Sequence, residues 1–466
     1  MMTIKMSDIT GHILNIEKKY NLFEREISGI FFWKLIRFKL TSMVFNSLEF
    51  YEKGNKSAKR WEKFNNIIVN DFNTIKKNAL TSDLSSDVLV FQSPRRINYN
   101  NSNTDIYTFF INKELLNQEI KLKSVNLDGK NKESNKEVKV AMLPLSLQFV
   151  ASHLYNVKFS KEDKRLIQNI KDDLNHKFSI DINIMSLIIK QIKKYRIQFS
   201  YYNKLFSKNN IRKIFIVCSY GLEPLISAAK KHNIEVIEIQ HGTISPEHMG
   251  YHFPGTKSVP YFPDKILLFG DYWKETTCLP LDDKNIISYG YPYFTEQQKE
   301  YRHIEQQKNS VLFISQWTIG TKLVDIAFNF AERNPELQVE YKLHPKEYES
   351  WEQLYPKLVE AKKLSNFKLC DSSRNDLYEV LNSVEYVVGV YSTVLYEALA
   401  LGKKTILMKL PGVENMKNLV ENKIVFLVSN ELELKECLTS DSSPNRSGSY
   451  FIQAKPNNKE LFDLFN

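Results

Sequence analysis

Four short polar groups stand at the ends of apolar runs. Ser315-Gln316 follows VLFI, His344-Pro345 follows VEYKL, Ser392-Thr393 follows VVGVY, and Gln240-His241-Gly242 follows EVIEI. Residues of these types at strand ends can bind anions and move protons. Ser392 and Thr393 open a helical stretch, where free backbone N–H groups and hydroxyls together bind a phosphate oxygen well. Glu397, four residues after Thr393, shares its helix face and is placed to accept two ribose hydroxyls. Lys342 and His344 would supply cationic donors, at about 1.5–3 kcal/mol for each charge-assisted bond. Each residue also has a plain structural use: Ser392 as a helix N-cap, His344 as the end of a strand. Together, Ser315, Gln316, Lys342, His344, Pro345, Ser392, Thr393 and Glu397 read as a donor pocket for a nucleotide mono- or diphosphate.

The second constellation is EIQHGTISPEHMGYHFPG, residues 238–255. His241 would project from a strand end into the cleft, where a neutral imidazole can act as a general base near pH 7. Gly242 would let the backbone turn tightly there. His248 and His252, with Glu247, imitate a metal-ligand set. A loop bearing Pro and Gly does not hold ligands as a helix does, so no metal is expected. Arg95-Arg96 follows VLVFQSP, and paired arginines suit an anionic acceptor or a donor carboxylate; a solvated loop is the alternative. Gly290-Tyr291-Pro292 would line the hinge side of a cleft.

These residues need a scaffold of buried strands. DVLVFQS (87–93), VKVAMLP (138–144), KIFIVCS (213–219), EVIEIQHG (235–242), KILLFG (265–270) and NIISYG (285–290) are continuous apolar runs, as in parallel sheets covered on both faces. The alternation restarts with VLFISQ (311–316), VEYKLHP (339–345), FKLCD (367–371), YVVGVYS (386–392), KTILMK (404–409) and VFLVS (425–429), with helical stretches between. The polar segment TEQQKEYRHIEQQKNS (295–310) reads as a linker, and Asn100 to Lys136 as polar chain with a surface loop. The organisation expected is a helical N-terminal extension (1–80), an acceptor-binding Rossmann-like domain (81–297), a nucleotide-binding Rossmann-like domain (308–449) and a tail helix (450–466). Ligands in such sheets bind beyond the carboxyl ends of the strands. Within the extension, ISGIFFWKLIRFKLTSMVF (27–45) is expected to be a core helix whose cations snorkel outward, in preference to a basic helix lying on a membrane.

Composition excludes several classes. The chain has 466 residues, 42% hydrophobic and 25% charged, with 15 Gly and 15 Pro, so it is neither disordered nor a turn-rich repeat. Its net charge of +10 favours anionic partners. The basic residues are dispersed, which argues against nucleic acid. Four scattered cysteines without a CxxC pair fit a reducing compartment. The first residues lack a signal-peptide core, and no run of about 18 apolar residues occurs, so a cytoplasmic protein is expected. Neither GxxxxGK[ST] nor GxGxxG after a strand is present, nor GxSxG, nor an Asp-x-Asp triplet.

With these residues in view, the chain resembles bacterial surface-polysaccharide glycosyltransferases of the GT-B fold. QHGT (240–243) is similar to the His-Gly-Thr of teichoic-acid glycerophosphotransferases, whose histidine is taken as a base. His344-Pro345 and Ser392-Thr393 resemble the HP and S-S/T motifs of bacterial sialyltransferases and capsular Kdo transferases, in which the histidine and the hydroxyl pair hold the nucleotide phosphate. Sialyltransferases draw their base from a paired-acid-plus-glycine motif; Leu127-Asp128-Gly129 lacks the first acid. That leaves His241, or a carboxylate such as Glu223 or Glu247, as the base.

The resemblance implies an α/β GT-B enzyme without metal or cofactor. It would transfer a sugar from a cytidine-activated donor of the CMP-Kdo or CMP-sialic-acid kind to a glycan or lipid-linked acceptor. Arg95, Arg96 and Gly242 fall on the acceptor side, and the cationic surface is expected to rest against anionic inner-leaflet lipid. The competing readings are a UDP-sugar transferase, a CDP-glycerol glycerophosphotransferase, a sugar-nucleotide 2-epimerase and a non-catalytic glycan- or nucleotide-binding protein.

Overall fold

The computed structural model describes residues 4–50, 79–99, 102–127, 138–140, 155–371, 376–440 and 446–465. In chain order the strands are β1 (Val88–Gln92), β2 (Arg96–Tyr99), β3 (Ser102–Asp105), β4 (Leu122–Asn126), β5 (Val138–Lys139), β6 (Lys213–Val217), β7 (Glu235–Ile239), β8 (Lys265–Leu268) and β9 (Ile286–Ser288), followed by β10 (Ser310–Ile314), β11 (Gln338–Lys342), β12 (Phe367–Cys370), β13 (Tyr386–Gly389), β14 (Lys404–Met408) and β15 (Phe426–Val428). The runs of Val, Ile, Leu and Phe are buried on both faces: β1 and β10 have no exposed position.

One sheet is ordered β5-β4-β1-β6-β7-β8-β9 and the other β12-β11-β10-β13-β14-β15, every pairing parallel. β2 and β3 form a separate antiparallel hairpin. Counted within its own domain, the second sheet runs 3-2-1-4-5-6, and the first repeats this order and adds a seventh strand. In such sheets the winding reverses beside the first strand, opening a crevice at the carboxyl ends. Those crevices lie between β1 and β6 and between β10 and β13. A cleft of about 1450 Å³ runs between the two domains and draws its lining from both. This is the GT-B arrangement, α/β with two Rossmann-like domains facing each other.

Four helices pack beside the first sheet around a core of their own: α1 (Met6–Tyr20), α2 (Phe32–Ser47), α3 (Lys161–Phe178) and α4 (Ile184–Ser207). The cations of α2 do not all snorkel outward. Lys34 and Arg37 are buried, Arg37 to 1% exposure. Burial is sustainable because each is compensated. Arg37 Nη2 donates to Glu17 Oε2 at 2.9 Å and to the His252 carbonyl at 2.9 Å, and Nη1 donates to the Met249 carbonyl. Lys34 Nζ sits 5.2 and 5.3 Å from the ring centres of Phe253 and Phe262.

The polar stretch 100–136 holds more than a loop. A helix at Phe109–Asn117 and strand β4 lie within it, and β4 is the direct neighbour of β1. Its LKSVN sequence escapes notice because its first three residues are only half-buried. Of VKVAMLP, residues 141–144 lie outside the described residues, as do Asp128-Gly129 and 51–78 of the extension. Past β9, a helix spans Pro292–Tyr301. The tail leaves the second domain and returns to the first, where the Gln453 N–H donates to the Phe269 carbonyl at 2.8 Å and Asn457 N–H to that of Tyr289 at 2.7 Å. Among the described residues no helix is long and apolar enough to cross a membrane.

Candidate active site

The second domain brings its strand-end residues together. Ser315 and Gln316 end β10, Lys342 through Pro345 end β11, and Ser392-Thr393 follow β13; all line the cleft. The arrangement is braced by Glu347, fully buried at the turn after His344. Its carboxylate accepts from Ser315 Oγ at 3.0 Å, from the Tyr355 hydroxyl at 2.7 Å and from the His344 backbone N–H at 2.6 Å. One carboxylate thus ties the end of β10 to the end of β11. Sequence reading passed over Glu347; the signal available was its place three residues after His344, the spacing at which an acid reaches back to a backbone N–H. Gln316 Oε1 accepts the Tyr391 N–H at 3.1 Å, joining β10 to β13. Ser392 is the N-cap of helix α5 (Thr393–Ala400), its Oγ accepting from the Val394 N–H at 3.3 Å.

The charge state of this wall differs from the sequence expectation. His344 Nδ1 accepts the Lys346 N–H at 3.1 Å, so Nε2 carries the proton. Burial, helped by Lys346 and Arg95, pushes the His344 pKa down to about 4. At neutral pH the imidazole is therefore an uncharged N–H donor and not a cation. Lys342 donates to the Asp371 carbonyl at 3.1 Å, and burial moves its pKa down from the ordinary lysine value, against the pull of Cys370, Asp376 and Asp371. Glu397 does not reach the cleft. It is buried behind Tyr378, which does line it, and one of its carboxylate oxygens has no hydrogen-bond partner among the described residues.

Across the cleft stand Arg95 and Arg96. Buried Asp105 holds their loop, accepting the N–H groups of Ser93 at 2.7 Å and Tyr107 at 2.9 Å. Arg95 Nη1 donates to the Tyr107 hydroxyl at 3.0 Å, and that hydroxyl donates to the His241 carbonyl at 2.6 Å. Arg96 Nη2 donates to Gln92 Oε1 at 2.6 Å. The turn at Gln240-His241-Gly242 is fixed by fully buried Gln240. Its amide donates to the Gly242 carbonyl at 2.8 Å, and its oxygen accepts the Phe269 N–H at 2.8 Å. Gly242 is not in the left-handed region, and a Cβ there would meet only Thr393 Oγ1, at 3.7 Å. A methyl therefore fits at this position, and the turn does not depend on glycine.

The three base candidates separate in space. Glu247 lines the cleft with Thr243 and His248; it accepts the Thr10 hydroxyl, and burial raises its pKa. Contrary to the expectation from sequence, His241 does not line the cleft: it is half-buried just behind this wall, its ring held between two phenols, with Nε2 3.2 Å from the Tyr220 hydroxyl and Nδ1 3.3 Å from that of Tyr251. Burial, then Arg95, lowers its pKa to about 4, so it is neutral at pH 7. Glu223 faces away from the cleft, its carboxylate accepting the Gly221 N–H beside Leu35 and Lys39. His248 stacks on Phe38 with centroids 5.4 Å apart, and the His252 Nδ1 accepts the Cys278 N–H at 3.3 Å, so the two are spent separately. Among the described residues no group of three or more His, Cys, Asp or Glu side chains is placed to hold a metal ion.

A wall of the cleft that sequence reading missed comes from the N-terminal helices. Phe38, Thr41, Ser42, Phe45 and Asn46 of α2, with Met6 of α1, line the cleft beside Glu247 and His248. Nothing in their spacing marks them, since on a helix they read as one more half-apolar face.

No family model matches the chain, and no curated protein matches it in sequence. Among solved structures, the UDP-GlcNAc 2-epimerase of Methanocaldococcus jannaschii superposes with a TM-score of 0.48 at 10% identity, covering 81% of this chain and 99% of that one. The epimerase of Neisseria meningitidis, bound to UDP-GlcNAc, gives 0.46 at 12% identity over 81% and 99%. The wall teichoic acid polymerase TagF gives 0.44 at 14% identity over 87% and 97%. The assignment of the fold stands on the strand orders above, not on these distant likenesses.

Proposed function

We propose that the chain is a GT-B glycosyltransferase of bacterial surface-polysaccharide synthesis, moving a sugar from a cytidine-activated nucleotide to a glycan or lipid-linked acceptor in the cytoplasm. The observation that carries this reading is the convergence of Ser315, Gln316, Lys342, His344, Ser392 and Thr393 on one cleft, at the point where the winding of the second sheet reverses. The backbone N–H groups at the start of α5, the Ser392 and Thr393 hydroxyls, the His344 Nε2–H and the Lys342 ammonium are the donors for a leaving phosphate. They do for it what a metal ion does in other transferases. Donor choice rests on the likeness of His344-Pro345 and Ser392-Thr393 to motifs of cytidine-nucleotide enzymes.

In the reaction, the acceptor hydroxyl oxygen bonds to the anomeric carbon as the bond to the donor phosphate breaks, and the electron pair leaves with the nucleotide. His241 Nε2 takes the hydroxyl proton. The cleft-lining position of Glu247 supports a second reading, in which that carboxylate is the base and His241 orients the acceptor. Arg95 and Arg96 meet acidic groups of the acceptor or donor. The net charge of +10 draws the enzyme to anionic inner-leaflet lipid.

A thermal-shift series with CMP, CDP, UMP, UDP and GDP tests the donor. A ligand that binds the native state alone raises Tm by mass action. Cytidine nucleotides should raise it most. A larger shift with UDP overturns the cytidine assignment, and no shift with any of them overturns the donor pocket itself.

A further inference from the structure

A carboxylate in the middle of a buried strand is costly unless something compensates it. Glu238 sits in β7 among Val236, Ile237 and Ile239, with 0% of its surface exposed. One oxygen, Oε1, accepts the Ser219 N–H at 2.8 Å and the Tyr251 hydroxyl at 2.5 Å; Oε2 has no hydrogen-bond partner among the described residues. The buried Lys34 of α2 is the cation facing it. Burial raises the Glu238 pKa, while Tyr251, Ser219 and Lys34 oppose the rise.

The direction of these bonds has a consequence for the imidazole beyond. Tyr251 has one hydroxyl proton and gives it to Glu238. Toward His241 Nδ1, 3.3 Å away, the same oxygen can only accept. Nδ1 must then carry the ring proton, leaving Nε2 unprotonated beside the Tyr220 hydroxyl at 3.2 Å. From this geometry we infer that Glu238, acting through Tyr251, is a positioning residue that fixes the His241 tautomer with Nε2 as the proton acceptor. The inference rests on reading His241 as the base. When Nε2 takes the acceptor proton, the imidazolium keeps its Nδ1–H on Tyr251, and the Glu238 charge stands behind it. The principle is that of an acid orienting a catalytic histidine, with a phenol interposed.

The test is the tautomer itself, read by nitrogen NMR on full-length protein labelled with 15N-histidine. The His241 signals are assigned by their loss in His241→Gln. The unaltered protein should show a protonated Nδ1 and a bare Nε2. Glu238→Met removes the acceptor of the Tyr251 proton, frees that hydroxyl to donate to His241 Nδ1, and should move the ring proton to Nε2. Tyr251→Phe removes the link without changing charge, and should yield a mixture of tautomers; it stands as the second variant should Glu238→Met fold poorly. A proton on Nε2 in the unaltered protein overturns the inference. So does an Nδ1–H population unchanged from that of the unaltered protein in both variants. The measurement needs no turnover, so a failure of His241 as the base, read from the rate left in His241→Ala, is distinguishable from a failed relay.

Discussion

At the scale of single residues, the cleft works with neutral imidazoles. His344 lies at its wall and is not part of the hydrophobic core, so His344→Ala should weaken CMP binding at least tenfold by calorimetry while leaving Tm within a few degrees. Unfolding with unchanged nucleotide affinity in the folded fraction would mark it as a structural residue. Burial also holds His248 at about 3, far below the ordinary 6.5. An unfolded chain therefore binds a proton at this site before the folded chain does. The neutral histidine's contribution is intact above pH 6.5 and declines as pH falls from there toward 3. The stability gap between the unaltered protein and His248→Gln should narrow as Tm is measured from pH 7.5 down to 5; a gap constant over that range refutes the burial of this ring. Gly242→Ala should fold and bind nucleotide normally, because a methyl there meets only Thr393 Oγ1. Strand-end pairs such as His344-Pro345 and Ser392-Thr393 were legible in the sequence because chemistry and chain position coincide in them. Glu347 and Glu238 were not, since an acid within or just after an apolar run looks the same whether it faces solvent or braces a site.

At the scale of elements, the most exacting packing is that of α2 on α1. Removing one partner of a buried ion pair leaves a bare charge and costs about 3–5 kcal/mol. Glu17→Ala should lose that much in urea unfolding, since Arg37, at 1% exposure, has no route to water. Glu17→Met combined with Arg37→Met should recover most of the loss, and a double variant as unstable as the single would refute the pairing argument. The parallel strands were readable from composition because burial on both faces selects uninterrupted Val, Ile and Phe. β4 was not, with three half-buried positions out of five. The inward cations of α2 were missed because helical periodicity reports which side is apolar, and this helix is buried nearly all round.

At the scale of the molecule, the two sheets share one apolar seam. Trp273 of the first domain packs on Tyr396 of the second, with ring centres 4.4 Å apart, and Phe451 of the tail lies against Tyr396 while its carbonyl accepts the Trp273 indole N–H at 2.8 Å. Phe451→Ala should cost about 3–5 kcal/mol, seen as a single calorimetric transition at lower temperature; a split into two transitions would show that the domains unfold independently. Two domains were evident from the restart of the strand pattern after the polar stretch at 295–310. The tail's return was not, because contacts between distant segments leave no periodic mark. The helical layer carries a consequence for how the chain is made. The buried faces of α1 and α2 rest on α3 and α4, which end at Ser207. A ribosome adding about 5–20 residues per second needs roughly ten to thirty seconds to travel from Ser47 to Ser207. For that interval Trp33, Ile36, Leu40 and Val44 have α1 beside them but lack α3 and α4, which complete their core, so the nascent chain is most in need of a holding chaperone at its first helices, before either sheet is complete.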